Sequence, residues 1–326
     1  MNKTRLLIGA IVGVFLLGGC ISDDETTSEG NWVQRSYFEG SNRSNAAAFS
    51  IDSRAFIMGG YTGDEYLSDF WEYNATGDYW IKKADFPGQA RSNAVAFSID
   101  GKGYVGTGYD GTNKLNDFWE YDPETDTWME VASFGGTARY NAIGFSLVDK
   151  GYIGTGYDGS EQKDFWQYDP ATDSWTQIIS MGGAKRQGAS VFVIDDVAYI
   201  GTGINNGSYE YDFWALDGNT LEWTRKNDLD YSDDYAIVRS EASAFSIDSY
   251  GYIVAGSIGS VMGSTWEYHP SDDTWEEKTP IEAVYRAGAS AFSVNSRAYV
   301  LLGRSSSLRF DDIYEFQPFV YYDEED

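Results

Sequence analysis

The sequence predicts an all-β protein, a six-bladed β-propeller whose last blade is closed by the N-terminal strand. Three observations predict this fold. A unit of four short strands recurs six times, five of the units carry a tryptophan pair at a fixed spacing, and one unpaired tryptophan stands near the N-terminus. Aromatic residues make up 17% of the 326 residues, and 36 glycines against 6 prolines indicate many tight turns between short strands.

Each unit begins with a short apolar strand that contains a phenylalanine. Consecutive members of this set are 48, 48, 47, 53 and 47 residues apart: Phe49, Phe97, Phe145, Phe192, Phe245 and Phe292. A second strand ending in glycines follows, as at Gly59 and Gly60, and then a third strand such as the DFWEY run of residues 69–73. A polar turn leads to a fourth strand that begins on tryptophan. Four short strands in each of six tandem units predict six propeller blades.

The tryptophans predict how the ring closes. In five units the third-strand tryptophan precedes the fourth-strand tryptophan by nine residues: Trp71 and Trp80, Trp119 and Trp128, Trp166 and Trp175, Trp214 and Trp223, Trp266 and Trp275. The eleventh tryptophan, Trp32, has no third strand before it, and the sixth unit ends with its third strand near Phe316. Trp32 is therefore predicted to begin the missing fourth strand, so that the N- and C-terminal strands pair in one blade and the ring has no free edge.

The glycine pair, the Tyr-Asp-Pro-like turn and the tryptophan together resemble the Kelch repeat over residues 31–318. The pattern departs in blade five, where Gly263-Ser264-Thr265-Trp266 replaces the usual Asp-Phe-Trp, and in blade six, where Tyr314 replaces tryptophan. The resemblance implies a Kelch-type propeller. It does not imply one activity, because Kelch propellers include oxidases, sugar-acid mutarotases and protein-binding modules.

The N-terminal residues have the pattern of a bacterial lipoprotein. Lys3 and Arg5 precede an apolar run at residues 6–16 that is short for a membrane span, so residues 1–19 are predicted to be a signal peptide. The LGGC run that ends at Cys20 resembles a bacterial lipobox, which implies acylation of that cysteine and attachment to the outer membrane through lipid. Residues 20–30 are predicted to be the lipidated cysteine and a disordered acidic tether.

The acidic run directly after Cys20 suggests where the protein is displayed. The SDDE sequence resembles the surface-export signal of Bacteroidetes lipoproteins, and the alternative is a generic acidic spacer. We expect an outer membrane lipoprotein exposed at the cell surface. Residues 319–326 are predicted to form an acidic C-terminal tail.

The composition is strongly acidic. Fifty-one Asp and Glu residues against 23 Lys and Arg residues give a formal net charge of −28. Such a surface repels nucleic acid phosphates and anionic lipid head groups, so no nucleic-acid partner is expected. Cys20 is the one cysteine, which excludes an intramolecular disulfide bond. We expect a monomer.

An arginine stands just before the first strand of every unit: Arg43, Arg91, Arg139, Arg186, Arg239 and Arg286. In a four-stranded meander the loop before the first strand and the loop after the second strand lie on the same face of the propeller. The arginines are therefore predicted to form a ring around one mouth of the central channel. The loops that carry Tyr109 and Tyr157 are predicted to lie beside this ring. Two interpretations remain open. The guanidinium groups converge on an anion, or each pairs with the aspartate that opens the third strand of its own blade. These aspartates are Asp69, Asp117, Asp164, Asp212 and Asp312.

Blade five departs from this pairing. It keeps Arg239 but has Ser264 in place of the aspartate, and it has Glu241 where the first three blades have Asn45, Asn93 and Asn141. It also follows an acidic insertion at residues 228–234. If any of the six arginines is free for a ligand, the sequence therefore favours Arg239.

The sequence offers little for catalysis. A copper-radical oxidase on this fold needs two histidines and a cysteine cross-linked to tyrosine, whereas the chain has His269 alone, which is predicted to lie in a solvated turn on the opposite face. Ser–His–Asp catalysis and His/Cys metal sites fail for the same reason, and no metal or cofactor is predicted.

The expected function is non-enzymatic recognition at the cell surface, in which the arginine-ringed face binds a glycan, an anionic small molecule or a protein partner. The alternative is a sugar-acid mutarotase in which Glu241 is the acid/base group and Arg239 holds the carboxylate.

Overall fold

The computed structural model describes residues 29–230 and 236–323, and the predicted propeller is confirmed. The regular structure of these residues is 28 β-strands, and none of it is a helix that could cross a membrane. Six four-stranded antiparallel sheets form the blades, and two short hairpins belong to the loops. The signal peptide, Cys20 and most of the tether lie outside the described residues, as do residues 231–235 of the insertion.

The first three blades follow one pattern along the chain, with the innermost strand first. Blade one has β2 (Ala47–Ile51), β3 (Arg54–Tyr61), β4 (Tyr66–Asn74) and β5 (Tyr79–Lys82). Blade two has β6 (Val95–Ile99), β7 (Lys102–Gly106), β8 (Phe118–Asp122) and β9 (Thr127–Val131). Blade three has β10 (Ile143–Leu147), β11 (Lys150–Gly154), β12 (Phe165–Asp169) and β13 (Ser174–Ile178).

Blades four and five add a hairpin after their second strand. Blade four has β14 (Ser190–Ile194), β15 (Val197–Gly201), the hairpin β16 (Ile204–Asn205) and β17 (Ser208–Tyr209), then β18 (Trp214–Asp217) and β19 (Trp223–Arg225). Blade five has β20 (Ser243–Ile247), β21 (Tyr250–Val254), the hairpin β22 (Ser257–Ile258) and β23 (Ser260–Val261), then β24 (Thr265–His269) and β25 (Thr274–Lys278).

Blade six joins the two ends of the chain, as predicted. It consists of β26 (Ser290–Val294), β27 (Arg297–Leu301), β28 (Ile313–Tyr321) and, outermost, β1 (Glu29–Gln34). Trp32 lies opposite Phe316 with ring centroids 4.6 Å apart, and its indole N–H donates to the Thr279 carbonyl at 3.1 Å. The predicted C-terminal tail begins later than expected. Glu29 pairs with Tyr321, so residues 319–321 belong to the strand β28.

The core consists of aromatic and aliphatic layers between neighbouring blades. Phe49, Phe56 and Phe70 of blade one stack with interplanar angles of 15–18°, and Tyr121 of blade two meets Phe70 edge-on at 4.7 Å. The same contacts recur around the ring, so most of the repeated aromatic residues serve to pack one blade against the next.

Candidate functional site

One face of the disc gathers the loops that differ most between blades. In each blade the residue after the recurring arginine forms a backbone bridge with the end of the second strand or the loop that follows it: Ser44 with Tyr61, Ser92 with Tyr109, Tyr140 with Tyr157, Gln187 with Ile204, Ser240 with Ser257, and Ala287 with Arg304. These two sets of segments form what we call the loop face. The face predicted for the arginine ring is therefore the face on which these loops meet.

The six arginines lie below this face and are at most 1% exposed. Five of them form an ion pair with the aspartate of their own blade, so the pairing interpretation is confirmed for those blades. The pairs are Arg43–Asp69 at 2.5 Å, Arg91–Asp117 at 2.6 Å, Arg139–Asp164 at 2.6 Å, Arg286–Asp312 at 2.5 Å, and Arg186–Asp212. In every blade the arginine also donates to the carbonyl of the residue 16 positions later, which ties the innermost strand to the loop after the second strand.

The paired carboxylates are also held by a tryptophan that the sequence analysis did not connect with them. The indole N–H of Trp119 donates to Asp117 at 2.8 Å, and blades one, three and four repeat the contact. Burial by itself would raise the pKa of Asp117, but hydrogen bonds from Arg91 and Trp119 outweigh it and hold that pKa below its usual range. The Asp-x-Trp spacing is the sequence signal of this contact, because alternate residues of a strand share a face.

Arg239 is not free for a ligand, which corrects the expectation for blade five. Its side chain is fully buried, and its guanidinium donates to four backbone carbonyls and a hydroxyl. The acceptors are the carbonyls of Ala236 at 2.7 Å, Ile237 at 2.9 Å, Ala255 at 2.8 Å and Ser264 at 3.3 Å, and the Ser264 hydroxyl at 3.0 Å. Burial lowers the pKa of Arg239 to about 10. Carbonyl dipoles thus replace the missing aspartate.

The mouth of the channel is a cavity of about 180 Å³ beside the buried arginines. Its upper ring consists of the residues two positions after each arginine: Asn45, Asn93, Asn141, Gly188, Glu241 and Gly288. Their φ angles lie between 52° and 62°, and each of five of them donates its backbone N–H to a ring neighbour at 2.7–3.1 Å. The left-handed conformation suits Gly and Asn, so Glu241 is the strained member of the ring.

Glu241 faces the cavity, but its partner is not the one that the alternative function assumed. Its carboxylate accepts a hydrogen bond from Arg304 at 2.6 Å, and both side chains are partly exposed. Arg304 belongs to the loop after the second strand of blade six. The acid and the cation at this mouth are therefore Glu241 and Arg304, since Arg239 is held within the protein.

Five tyrosines on the loops and adjoining strand ends of blades one to three form a continuous row, which we call the tyrosine arc. Neighbouring ring centroids are separated by 4.7 Å (Tyr61 to Tyr66), 5.9 Å (Tyr66 to Tyr109), 5.3 Å (Tyr109 to Tyr140) and 5.5 Å (Tyr140 to Tyr157). All five side chains are partly exposed. The candidates Tyr109 and Tyr157 thus lie in one row with three tyrosines that the sequence analysis missed.

A cation covers each end of the tyrosine arc. The Arg309 guanidinium lies 5.0 Å from the centroid of Tyr61, and the Lys114 ammonium lies 5.9 Å from that of Tyr157. These are cation–π contacts, which attract a positive group to the face of an aromatic ring. The arc therefore begins and ends with a positive charge.

The tyrosine hydroxyls divide into two groups. Those of Tyr61 and Tyr109 donate to the carbonyls of Gly63 and Gly111 in their own loops, which fixes the rings. Those of Tyr66, Tyr140 and Tyr157 form no hydrogen bond within residues 29–230 and 236–323. Burial raises the pKa of Tyr66 and of Tyr140, so both hydroxyls stay protonated and able to donate.

His269 does not lie in a turn. It is the last residue of β24, and its imidazole Nε2 lies 3.0 Å from a Glu267 oxygen and 3.5 Å from a Glu276 oxygen. The buried Lys278 ammonium lies 3.4 Å and 3.1 Å from the same two carboxylates and 3.2 Å from Glu29. The ammonium bridges these three carboxylates, and its contact with Glu29 ties blade five to the first residue of β1.

Comparisons with known proteins support the repeat and the fold. A model of the KLHDC2/KLHL20/DRC7 Kelch-repeats domain matches residues 26–185. A solved structure titled "Structure of YjhT" matches with a TM-score of 0.73 at 17% identity, and the match covers 85% of this chain and 95% of that one. No curated protein sequence matches the chain. At this identity the structural match shows the propeller fold alone.

Proposed function

We propose that this chain is a carbohydrate-recognition module that binds a glycan on the loop face, across the tyrosine arc and the adjoining cavity. One observation carries the proposal, the row of five partly exposed tyrosines at the mouth of the channel. A tyrosine ring offers an apolar face that matches the C–H face of a pyranose and a hydroxyl that matches its polar edge. Binding sites for small molecules combine these features, with apolar or aromatic walls and a few polar groups that fix orientation.

The cavity supplies the polar groups. The side chains of Asn93 and Asn141 line its upper ring, and Glu241 with Arg304 offers acceptors and donors on the opposite side. The buried arginines act beneath this surface. Since each guanidinium is buried and hydrogen-bonded within the protein, we propose that the contribution of these arginines is to hold the loops that carry the tyrosines.

The recognition function is tested by binding of a panel of immobilised neutral and acidic oligosaccharides to the full-length chain in detergent. Tyr66→Ala and Tyr140→Ala are each expected to lower affinity for the bound glycan about tenfold or more, because each removes a stacking face and a free hydroxyl. Tyr79→Ala is the control, since Tyr79 is a tyrosine even more exposed than these two but begins β5, away from the loop face. Equal losses in all three variants, or no loss in any, would contradict the proposal.

A sugar-acid mutarotase is the second candidate, and the strained Glu241 is the observation that favours it. Its carboxylate would take the proton of the anomeric hydroxyl and deliver that proton to the ring oxygen as the ring C–O bond breaks, and closure would reverse these transfers. Arg304 would hold the substrate carboxylate. NMR of a free sugar acid decides between the candidates, because only a mutarotase exchanges the anomers faster than a Glu241→Gln variant does.

We also propose that acylated Cys20 attaches the propeller to the outer membrane at the cell surface. The lipobox-like sequence and the SDDE run support this location. Cys20→Ser is expected to give unprocessed or freely soluble protein, since the acyl chains are the proposed attachment. Metabolic labelling with a fatty acid checks it, with Ser22→Ala as the control that keeps the cysteine. Label that persists in Cys20→Ser contradicts the lipoprotein proposal.

A further inference from the structure

Arg309, like Lys114 at the other end of the tyrosine arc, has no carboxylate partner among the described residues. Arg304, in the same loop, is paired with Glu241. Five of the six buried arginines are paired with aspartates, and Arg239 is saturated by carbonyls and a hydroxyl. The Arg309 Nε is buried yet has no hydrogen-bond acceptor. A buried donor without an acceptor costs free energy in the folded protein.

The loops hold Arg309 in a fixed position between blades six and one. Its backbone pairs with Arg304 and its carbonyl accepts a hydrogen bond from Asn42 at 3.1 Å. Its guanidinium lies over Tyr61, and a Cβ at Gly63 would come within 2.8 Å of its Nη1. Gly63 also has a φ of 111°, which favours glycine. The absence of a side chain at Gly63 thus makes room for the guanidinium at the end of the tyrosine arc.

Two acidic groups beside the arc, Asp110 and Asp158, are held by hydrogen bonds within its loops. Asp110 accepts the backbone N–H groups of Asn113 at 2.6 Å and Thr112 at 2.8 Å, and the bond from Asn113 lowers the pKa of that carboxyl below its usual range. Asp158 accepts hydrogen bonds from Thr137 at 2.7 Å and Gln162 at 2.9 Å. These carboxylates stabilise turns, whereas Arg309 and Lys114 form no ion pair within residues 29–230 and 236–323.

From this arrangement we propose that the ligand is an acidic oligosaccharide whose sugar rings lie along the tyrosine arc. One carboxylate binds Arg309 and a second, further along the chain, binds Lys114. The inference rests on the proposed carbohydrate recognition. It adds that the ligand carries a carboxylate and that Arg309 binds it. The planar guanidinium fork matches a carboxylate, and its cation–π contact with Tyr61 keeps it oriented before the ligand arrives. In a protein with a net charge of −28, general attraction of anions is excluded, so the preference for an acid must come from such local contacts.

The test compares each acidic oligosaccharide with its own carboxyl-reduced form. The probes are oligogalacturonate, oligomannuronate and hyaluronan fragments, measured on the full-length chain in detergent. At least one acid is expected to bind about tenfold or more tightly than its reduced form. Arg309→Gln is expected to remove most of that difference and to leave affinity for the reduced form unchanged. Arg297→Gln is the matched control, because this exposed arginine lies at the start of β27, at the other end of the channel.

The outcomes separate this inference from the proposed function. If reduced forms bind as tightly as the acids, or if Arg309→Gln keeps the full difference, the acid-specific inference is overturned while carbohydrate recognition stands. If Tyr66→Ala lowers affinity for the acid and for its reduced form, and Arg309→Gln lowers affinity only for the acid, carbohydrate recognition and the acid-specific inference are both supported. Failure of every probe and of the neutral panel to bind overturns the proposed function, and this inference with it.

Discussion

Deletion of residues 29–34 is expected to abolish folding of the propeller or to leave an aggregating protein. The deletion removes β1 and exposes β28 as an unpaired edge of nine residues. It also removes the fully buried Trp32, whose loss alone is expected to cost about 3–5 kcal/mol. Since the free energy of unfolding of a domain is only about 5–15 kcal/mol, the deletion is expected to remove most of it, and the propeller is not expected to stay folded.

A graded pair of substitutions checks this interpretation without removing a strand. Trp32→Ala is compared with Trp223→Ala, because Trp223 begins the fourth strand of blade four but is partly exposed. Thermal melts should show a much larger loss of stability for Trp32→Ala. Similar melting temperatures for the two variants, or a deletion variant that melts close to the wild-type protein, would show that the N-terminal strand is not what seals the ring.

The fold could be predicted from the sequence because the stabilising contacts repeat with the units. The nine-residue spacing between tryptophans predicted the third and fourth strands, and the unpaired Trp32 predicted that the N-terminal strand closes the propeller ring. The pairing of Arg91 with Asp117 was one of the two interpretations that the sequence left open, and it was suggested by the recurrence of both residue types together on one face.

The candidate site could be predicted only in part, because its members come from different positions of different loops. Tyr109 and Tyr157 stand at the same repeat position, after the second strand. Tyr66 lies at the start of β4 and Tyr140 just before β10, so no single spacing connects them. They meet only because the ring places consecutive loops side by side.

The prediction that Arg239 is free for a ligand was wrong for a different reason. The sequence shows that blade five lacks the aspartate, but it does not show what replaces it. The chain before Arg239 turns so that the carbonyls of Ala236 and Ile237 accept from the guanidinium. Backbone acceptors carry no residue signature, so a missing partner in the sequence does not establish a free side chain in the structure.

The two kinds of arginine are expected to respond differently to removal. Arg91→Ala leaves the partly buried carboxylate of Asp117 without its cation and should cost about 3–5 kcal/mol. Arg239→Ala leaves carbonyl oxygens without donors but no stranded charge, and should cost about 1–3 kcal/mol. The second value is well above that of an exposed side chain, because Arg239 is buried.

The pH dependence of stability distinguishes the two cases, and its sign follows from Asp117. In the wild-type protein the pKa of Asp117 is held below 3.8, so the stability from its pairing is present above that value and is lost only as pH falls through the folded pKa. In Arg91→Ala, burial without the cation raises that pKa instead, so protonation relieves the stranded charge. The loss of unfolding free energy in Arg91→Ala relative to wild type should therefore shrink between pH 7 and pH 4, whereas the loss in Arg239→Ala should stay constant.

Denaturant unfolding at several pH values measures both losses, and Asp117→Asn in the Arg91→Ala background should recover part of the loss at pH 7. A deficit of Arg91→Ala that is independent of pH, or an Arg239→Ala variant as stable as wild type, would contradict the structural roles assigned to these arginines.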